Sequence, residues 1–119
     1  MAFKVEFAAE AENDLEAIAA FLQASYVGFG DDVEQAVEKA VVRVLMIRDE
    51  ISELAKRPYR GTRRPELGDT IRNLTIERAI IYFELLEDAE TLRVLAVFFG
   101  GQDHLRHIRK RLPGASSDQ

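Results

Sequence analysis

The chain has 119 residues, 47% of them hydrophobic and 31% charged, with no cysteine and a formal net charge of −5. That length suits one domain with a core of its own, and the balance is that of a folded chain rather than a disordered one. Without cysteine there is neither a disulfide nor a thiolate metal site, and net acidity argues against wholesale phosphate binding.

The opening, MAFKVEFAAEAEND, reaches acidic residues at once, unlike a secretory signal. No apolar run approaches the ~20 residues that span a bilayer, so a soluble, cytoplasmic protein without membrane contact is expected. Charge is divided along the chain. Residues 1–54 carry four Lys/Arg against twelve Asp/Glu, a net −8, and residues 55–119 carry twelve against nine, a net +3. Either the halves meet different partners, or the acidic residues only solvate long helices.

FKVEF (3–7) alternates Phe3, Val5 and Phe7 with Lys4 and Glu6, which predicts a half-buried strand. From about Glu10 to Tyr26, Ala11, Leu15, Ile18, Leu22 and Tyr26 recur at helical steps. VGFGDD breaks that helix, with Gly28 and Gly30 as stops and Asp31 or Asp32 as the next N-cap. Val33, Val37, Ala40, Val44, Ile47, Ile51 and Leu54 then follow 4-3 spacing, one continuous apolar stripe that ends before Pro58. Two such helices joined by a short turn pack as an antiparallel hairpin.

PYRGTRRPELGD (58–69) is rich in Pro, Gly and Arg and reads as a loop. TIRNLTI (70–76) is a weak strand. RAIIYFELLE (78–87) and TLRVLAVFF (91–99) are strong ones, joined by the turn EDAE, and both are apolar at nearly every position, as central strands are. A last helix runs from Asp103, its N-cap, to about Leu112, and PGASSDQ (113–119) reads as a disordered tail. The order β-α-α-β-β-β-α makes an α+β fold: an antiparallel helical hairpin on a small, mainly antiparallel sheet, in a single domain over 1–112.

This order, with VEFAAEAENDLEAIAAFL, RPYRGTRRPELGDTIRNL and IIYF…LRVLAVFFGGQDH, resembles the RelE/ParE toxins of type II toxin–antitoxin pairs over roughly residues 3–112. It is nearer to ParE, whose studied members poison DNA gyrase, than to RelE, whose members cut mRNA on the ribosome. The resemblance implies a cognate ParD-like antitoxin whose amphipathic tail wraps the toxin, a role in plasmid stabilisation, and no cofactor. The ribonuclease branch carries an arginine three residues before a strand tyrosine. With Tyr82 in that place the position is Ala79, and with the register at Phe83 it is Ile80. Arg78 is one residue off and would face the other side of the strand. No tyrosine follows Tyr82, so a late general base of that type is missing.

Imidazole titrates near neutrality, which makes His104 and His107, with Arg72 or Arg78, the candidates for acid/base work. At about 100° per residue, His104, His107 and Arg111 share one side of the last helix, beside an apolar stripe of Leu105, Ile108 and Leu112. Arg106, Arg109 and Lys110 face away. Against catalysis stands the reading of both histidines as boundary residues; metal binding lacks a completing carboxylate set. Gly100-Gly101 reads as a tight turn needing positive φ rather than an anion nest. Arg57, Arg60, Arg63, Arg64 and Arg72 cluster around the long loop, where guanidinium groups can grip phosphate or an acidic partner segment. Partner or target contact is therefore expected at Arg60, Arg63, Arg64, Arg72, Arg106, Arg109, Lys110 and Arg111. Acidic residues 6–16 and 31–38 read as solvated helix faces. Three functions remain open: a gyrase-binding toxin, a ribosome-dependent mRNA endonuclease, and a non-toxic antitoxin-binding module.

Overall fold

The computed structural model describes residues 2–100 and 103–112. The predicted tail (113–119) and the second glycine of the Gly100-Gly101 turn lie outside them. The elements run β1 (Lys4–Phe7), α1 (Ala9–Gly28), α2 (Val33–Leu54), β2 (Thr62–Arg63), β3 (Ile71–Ile76), β4 (Ala79–Leu86), β5 (Thr91–Phe99) and α3 (His104–Arg111). The sheet order is β1-β5-β4-β3-β2. Among the described residues only β1 and β5 pair in parallel; the other neighbours are antiparallel. The predicted α+β architecture is what forms, with the two apolar strands β4 and β5 near the centre of the sheet.

Local chemistry accounts for the boundaries. Asp32 caps α2 by accepting the Gln35 N–H at 2.8 Å, while the Gln35 side chain reaches back to the Asp32 N–H at 3.3 Å, satisfying two donors that a helix start leaves orphaned. The β3–β4 turn is Glu77-Arg78, both with positive φ (51° and 68°), the backbone twist that suits a tight hairpin. Gly100 leaves β5 with φ of 75°, as a strand-to-helix turn there requires.

The segment 58–69 is not wholly loop. Thr62 and Arg63 pair with Asn73 and Arg72 and add a short edge strand. Gly61 allows it. Its φ is +90°, and a Cβ there would lie 2.6 Å from the Asn73 carbonyl oxygen, so only glycine lets this segment approach β3 so closely.

Strand alternation splits the core in two. Ile81, Phe83, Leu85, Leu92 and Val94 pack under the hairpin against Leu15, Ile18, Ile47, Ile51 and Leu54. Tyr82, Ala96 and Phe98 face the other way and, with Leu67 and Ile71, receive Ile108 of α3. The 4-3 stripe of α2 is buried only in part. Ala40, Ile47, Ile51 and Leu54 are enclosed, but Val33 is 61% and Val37 39% exposed. The buried arc is centred on Ala36, Ala40 and Ile47, which leaves Val37 at its margin, and the first turn of α2 carries Val33 clear of the core.

The acidic segments are plain solvated faces only in part: Glu10, Glu16, Glu34 and Glu38 are exposed, but other carboxylates are engaged. Glu6 pairs with Arg93 at 2.8 Å, Glu12 with Arg48, and Asp31 with Lys39 at 2.7 Å. Asp14 is turned inward altogether.

Candidate functional site

The site is assembled on the sheet face opposite the hairpin, where α3 lies. Asp103 starts this helix by accepting the Arg106 N–H at 3.4 Å. Ile108 is fully buried, with Leu105 and Leu112 packed beside it, so the helix docks by the stripe its spacing predicts. Leu105 and Leu112 flank Ile108 at three- and four-residue steps, and burying such aliphatic side chains contributes about 1.5–3 kcal/mol each when fully enclosed.

His104 meets the sheet by a second contact. Its Nδ1 lies 2.6 Å from the hydroxyl of Tyr82, and Tyr82 is 0% exposed. Burial pushes the Tyr82 phenol up from its ordinary value, opposed by a hydrogen bond with Asn73 and by the charge of Arg64. His107 is tilted against Phe98, ring centres 5.8 Å apart. Thus His104 is a boundary residue satisfied by a side chain.

At the other end of α3, Arg111 is drawn inward. Its two terminal nitrogens each lie 2.7 Å from an oxygen of Asp14, and one also approaches the Leu95 carbonyl at 3.4 Å. Asp14 in turn accepts the Val97 N–H at 2.9 Å. β1 pairs with β5 only as far as Val94, so this carboxylate takes over where the partner strand ends and shields an edge that would otherwise recruit another strand. The Asp14 hydrogen bond, above all, holds the guanidinium in its charged form. Beside the pair, Phe21, Phe98, Phe99 and His107 help to line a groove of about 370 Å³.

The remaining predicted residues divide into three groups. Arg106, Arg109 and Lys110 are exposed on the outer side of α3, and none has a carboxylate within 4 Å among the described residues. Arg60, Arg63 and Arg72 surround the loop, but Arg72 is committed to it: it donates to the Tyr59 carbonyl at 2.9 Å and lies over the Tyr59 ring. Arg63 and Arg72 share a polar cleft of about 470 Å³ with Asp69, Glu87 and Asp88, so the arginines there are balanced by carboxylates. Arg64 is half-buried, near Glu66 at 3.8 Å, with its Nε enclosed and unbonded.

Arg78 sits at the β3–β4 turn with its guanidinium 5.6 Å from the centre of the Phe99 ring. Arg72 and Arg78 are six positions apart, about 15–20 Å of strand and turn, so the candidate acid/base arginines lie at opposite ends of β3. Among the described residues no group of three or more His, Asp or Glu is placed to hold a metal ion, and no helix is long and apolar enough to cross a membrane.

No protein-family model matches the sequence, and no curated protein matches it. Solved structures do match. A chain of the chromosomal ParDE TA system from P. aeruginosa superposes with a TM-score of 0.59 at 22% identity, covering 82% of this chain and 95% of that one. The fold is the RelE/ParE toxin fold. A mutant of E. coli toxin RelE in the free state matches with a TM-score of 0.54 at 13% identity, covering 94% of this chain and 99% of that one. The toxin–antitoxin complex RelBE2 from Mycobacterium tuberculosis gives 0.51 at 14%, covering 84% and 100%. The RelE/ParE fold thus spans nearly the whole of each matched chain, and here it carries an outward basic helix on one sheet face.

Asp14 and Tyr82 organise this site, and neither was singled out as a contact residue from the sequence. Asp14 lies within an acidic run, where one inward carboxylate looks like its neighbours. Tyr82 had one available signal: a tyrosine in an otherwise apolar central strand needs a partner for its hydroxyl.

Proposed function

We propose that the chain is the toxin of a type II toxin–antitoxin pair, of the ParE kind, which acts by binding rather than by cutting RNA. The observation that carries this reading is the division of labour on α3. Its inner side is locked to the sheet through Ile108, the Tyr82–His104 bond and the Asp14–Arg111 pair, while Arg106, Arg109 and Lys110 stand outward without partners among the described residues. Such a row of fixed cations recognises an acidic protein surface or phosphate. A ribonuclease needs its acid, base and cations around one phosphate, yet Arg72 and Arg78 are a strand apart and His104 is bound to a buried phenol.

DNA gyrase is the proposed target, the cytoplasm the place of action, and a cognate antitoxin the silencing partner; that partner finds support in the neighbours described as a TA system and as a toxin–antitoxin complex. The deciding experiment is induction of the chain in a bacterial host with pulse-labelling of DNA, RNA and protein synthesis over the first minutes. DNA synthesis failing first supports the gyrase reading, which inhibition of purified gyrase then tests directly. Protein synthesis failing first overturns it in favour of mRNA cleavage and makes His104 and His107 the leading suspects. Normal growth, with folded protein present, leaves only the non-toxic antitoxin-binding module.

A further inference from the structure

The turn between α1 and α2 holds an aromatic ring almost bare to solvent. Phe29, presented between Gly28 and Gly30, is 90% exposed. Back along α1, Phe21 is 58% exposed beside the groove of about 370 Å³ that it lines with Ala17, Ile18 and Phe99. Single exposed apolar residues are ordinary on a soluble protein. A bare phenylalanine and an open aromatic groove along one helix form instead an interaction surface with two complementary parts.

The flank that carries both is turned away from α2. Ala19 lies with Val41 and Val44 on the side of α1 that meets α2. At about 100° per residue, Ala17, Ala20, Phe21, Ala24 and Gly28 fall on the other side, and all are exposed. Residues 17–30, AIAAFLQASYVGFG, include no charged side chain, so two copies can lay this flank together without burying an ion. The two parts differ in the charge around them. The tip carries Asp31, Asp32 and Glu34 against Lys39. At the groove, the guanidinium groups of Arg43 and Arg78 lie 5.8 and 5.6 Å from the centre of the Phe99 ring. Neither arginine has a carboxylate within 4 Å among the described residues.

We infer that the chain pairs with a second copy of itself through this flank, the Phe29 ring of each copy seated in the groove of the other. Two α1 helices crossing antiparallel at Ala24 satisfy both ends at once. Residues 29 and 19 lie five positions to either side of that crossing, so the tip of one copy reaches the level of Ala17, Ile18 and Phe21 in the other. Alanine and glycine there let the two helices come close, and the acidic tip arrives at the arginines beside the Phe99 ring. The arrangement uses the same patch on both copies and closes as a dimer, whereas one-way insertion would propagate into a chain. It does not depend on which target the toxin poisons.

The test begins with sedimentation velocity of the full chain from low micromolar to millimolar concentration, where a monomer–dimer equilibrium is expected. Phe29→Ser, at a position almost wholly exposed in the single chain, should weaken association at least tenfold, as loss of an aromatic anchor does. Circular dichroism checks that the variant is folded. Because the chain has no cysteine, one introduced thiol reports the geometry. Mild oxidation of Ala24→Cys should give a disulfide-linked dimer, since the crossing brings the two Cα atoms within the roughly 7 Å that a disulfide spans. Glu38→Cys, exposed on α2, should stay unlinked. A chain that is monomeric throughout, its flank open to a partner of another kind, overturns the inference. So does a dimer that Phe29→Ser leaves as tight as before, or cross-linking of Ala24→Cys no faster than that of Glu38→Cys.

Discussion

Asp14 and Arg111 stand 97 positions apart in the chain and meet in a two-pronged ion pair, both contacts 2.7 Å long. Their side chains are only 13% and 21% exposed. One interaction therefore joins the first helix, the free edge of the last strand and the end of the last helix.

Because the pair is enclosed, removing either partner leaves a charge without compensation. Arg111→Ala should lower unfolding free energy by about 2–3 kcal/mol, near the lower end for broken buried pairs. Asp14→Ala should cost at least as much, since the Val97 N–H also loses its acceptor. In a double-mutant cycle by urea denaturation the two losses should fall well short of adding; strict additivity would mean that the pair contributes nothing jointly.

Tyr82→Phe keeps the ring in the core and removes only the hydroxyl bonded to His104. A loss of about 1 kcal/mol at neutral pH is expected. Burial raises the phenol above its ordinary value near 10, so the folded state holds that proton longer than the unfolded state does. Stability from this group is intact below about pH 10 and falls as pH rises from there toward the folded value. Tyr82→Phe should therefore lose stability less steeply in alkali than the parent. A residual slope from Tyr59, also raised, chiefly by its hydrogen bond to Glu87, remains in both proteins.

Replacing Arg106, Arg109 and Lys110 together by alanine should abolish growth inhibition on induction while changing stability by less than about 0.5 kcal/mol per site, as exposed positions do. His104→Ala and His107→Ala should leave inhibition in place, with only a modest stability loss for His104→Ala. Growth curves and thermal melts on the same variants separate the two effects. Persistence of toxicity in the triple variant would remove α3 as the recognition surface.

Gly61→Ala should be the most damaging of the single-methyl additions in the loop. A side chain is strained at φ of +90° and would also press on the Asn73 backbone. A loss of about 2 kcal/mol or more is expected, with detachment of β2 visible as faster amide exchange at Thr62 and Arg63.

The elements themselves were legible because their signals are local. Period-two alternation marked β1, helical spacing marked α1 and α2, and β-branched runs marked β4 and β5; the N-cap aspartates set the starts of α2 and α3. What sequence concealed depends on pairing across the fold. β2 is two residues long, too short for a pattern, and forms only because Gly61 lets it reach β3. The α2 stripe reads as continuous, yet which residues it buries is decided by where α1 and the sheet lie. Asp14 shares its composition with solvated neighbours, and only the early end of β1 leaves the Val97 N–H for it to accept. The arginines read as one cluster because they are close in sequence, whereas the structure commits Arg72 to Tyr59 and Arg78 to the Phe99 ring and leaves three cations of α3 outward.

The parallel pairing of β1 with β5 sets an order of events during synthesis. Glu6 reaches Arg93 across 87 positions, and among the described residues Lys4–Phe7 has no sheet neighbour other than Thr91–Val94. A nascent chain that has not yet released β5 from the ribosome can form its helical hairpin, whose contacts are local, but cannot close its sheet. Long-range pairing of this kind is slow to form. The sheet face that supports α3 therefore comes into being only after β5 has emerged, and a translation product truncated before β5 would lack it altogether.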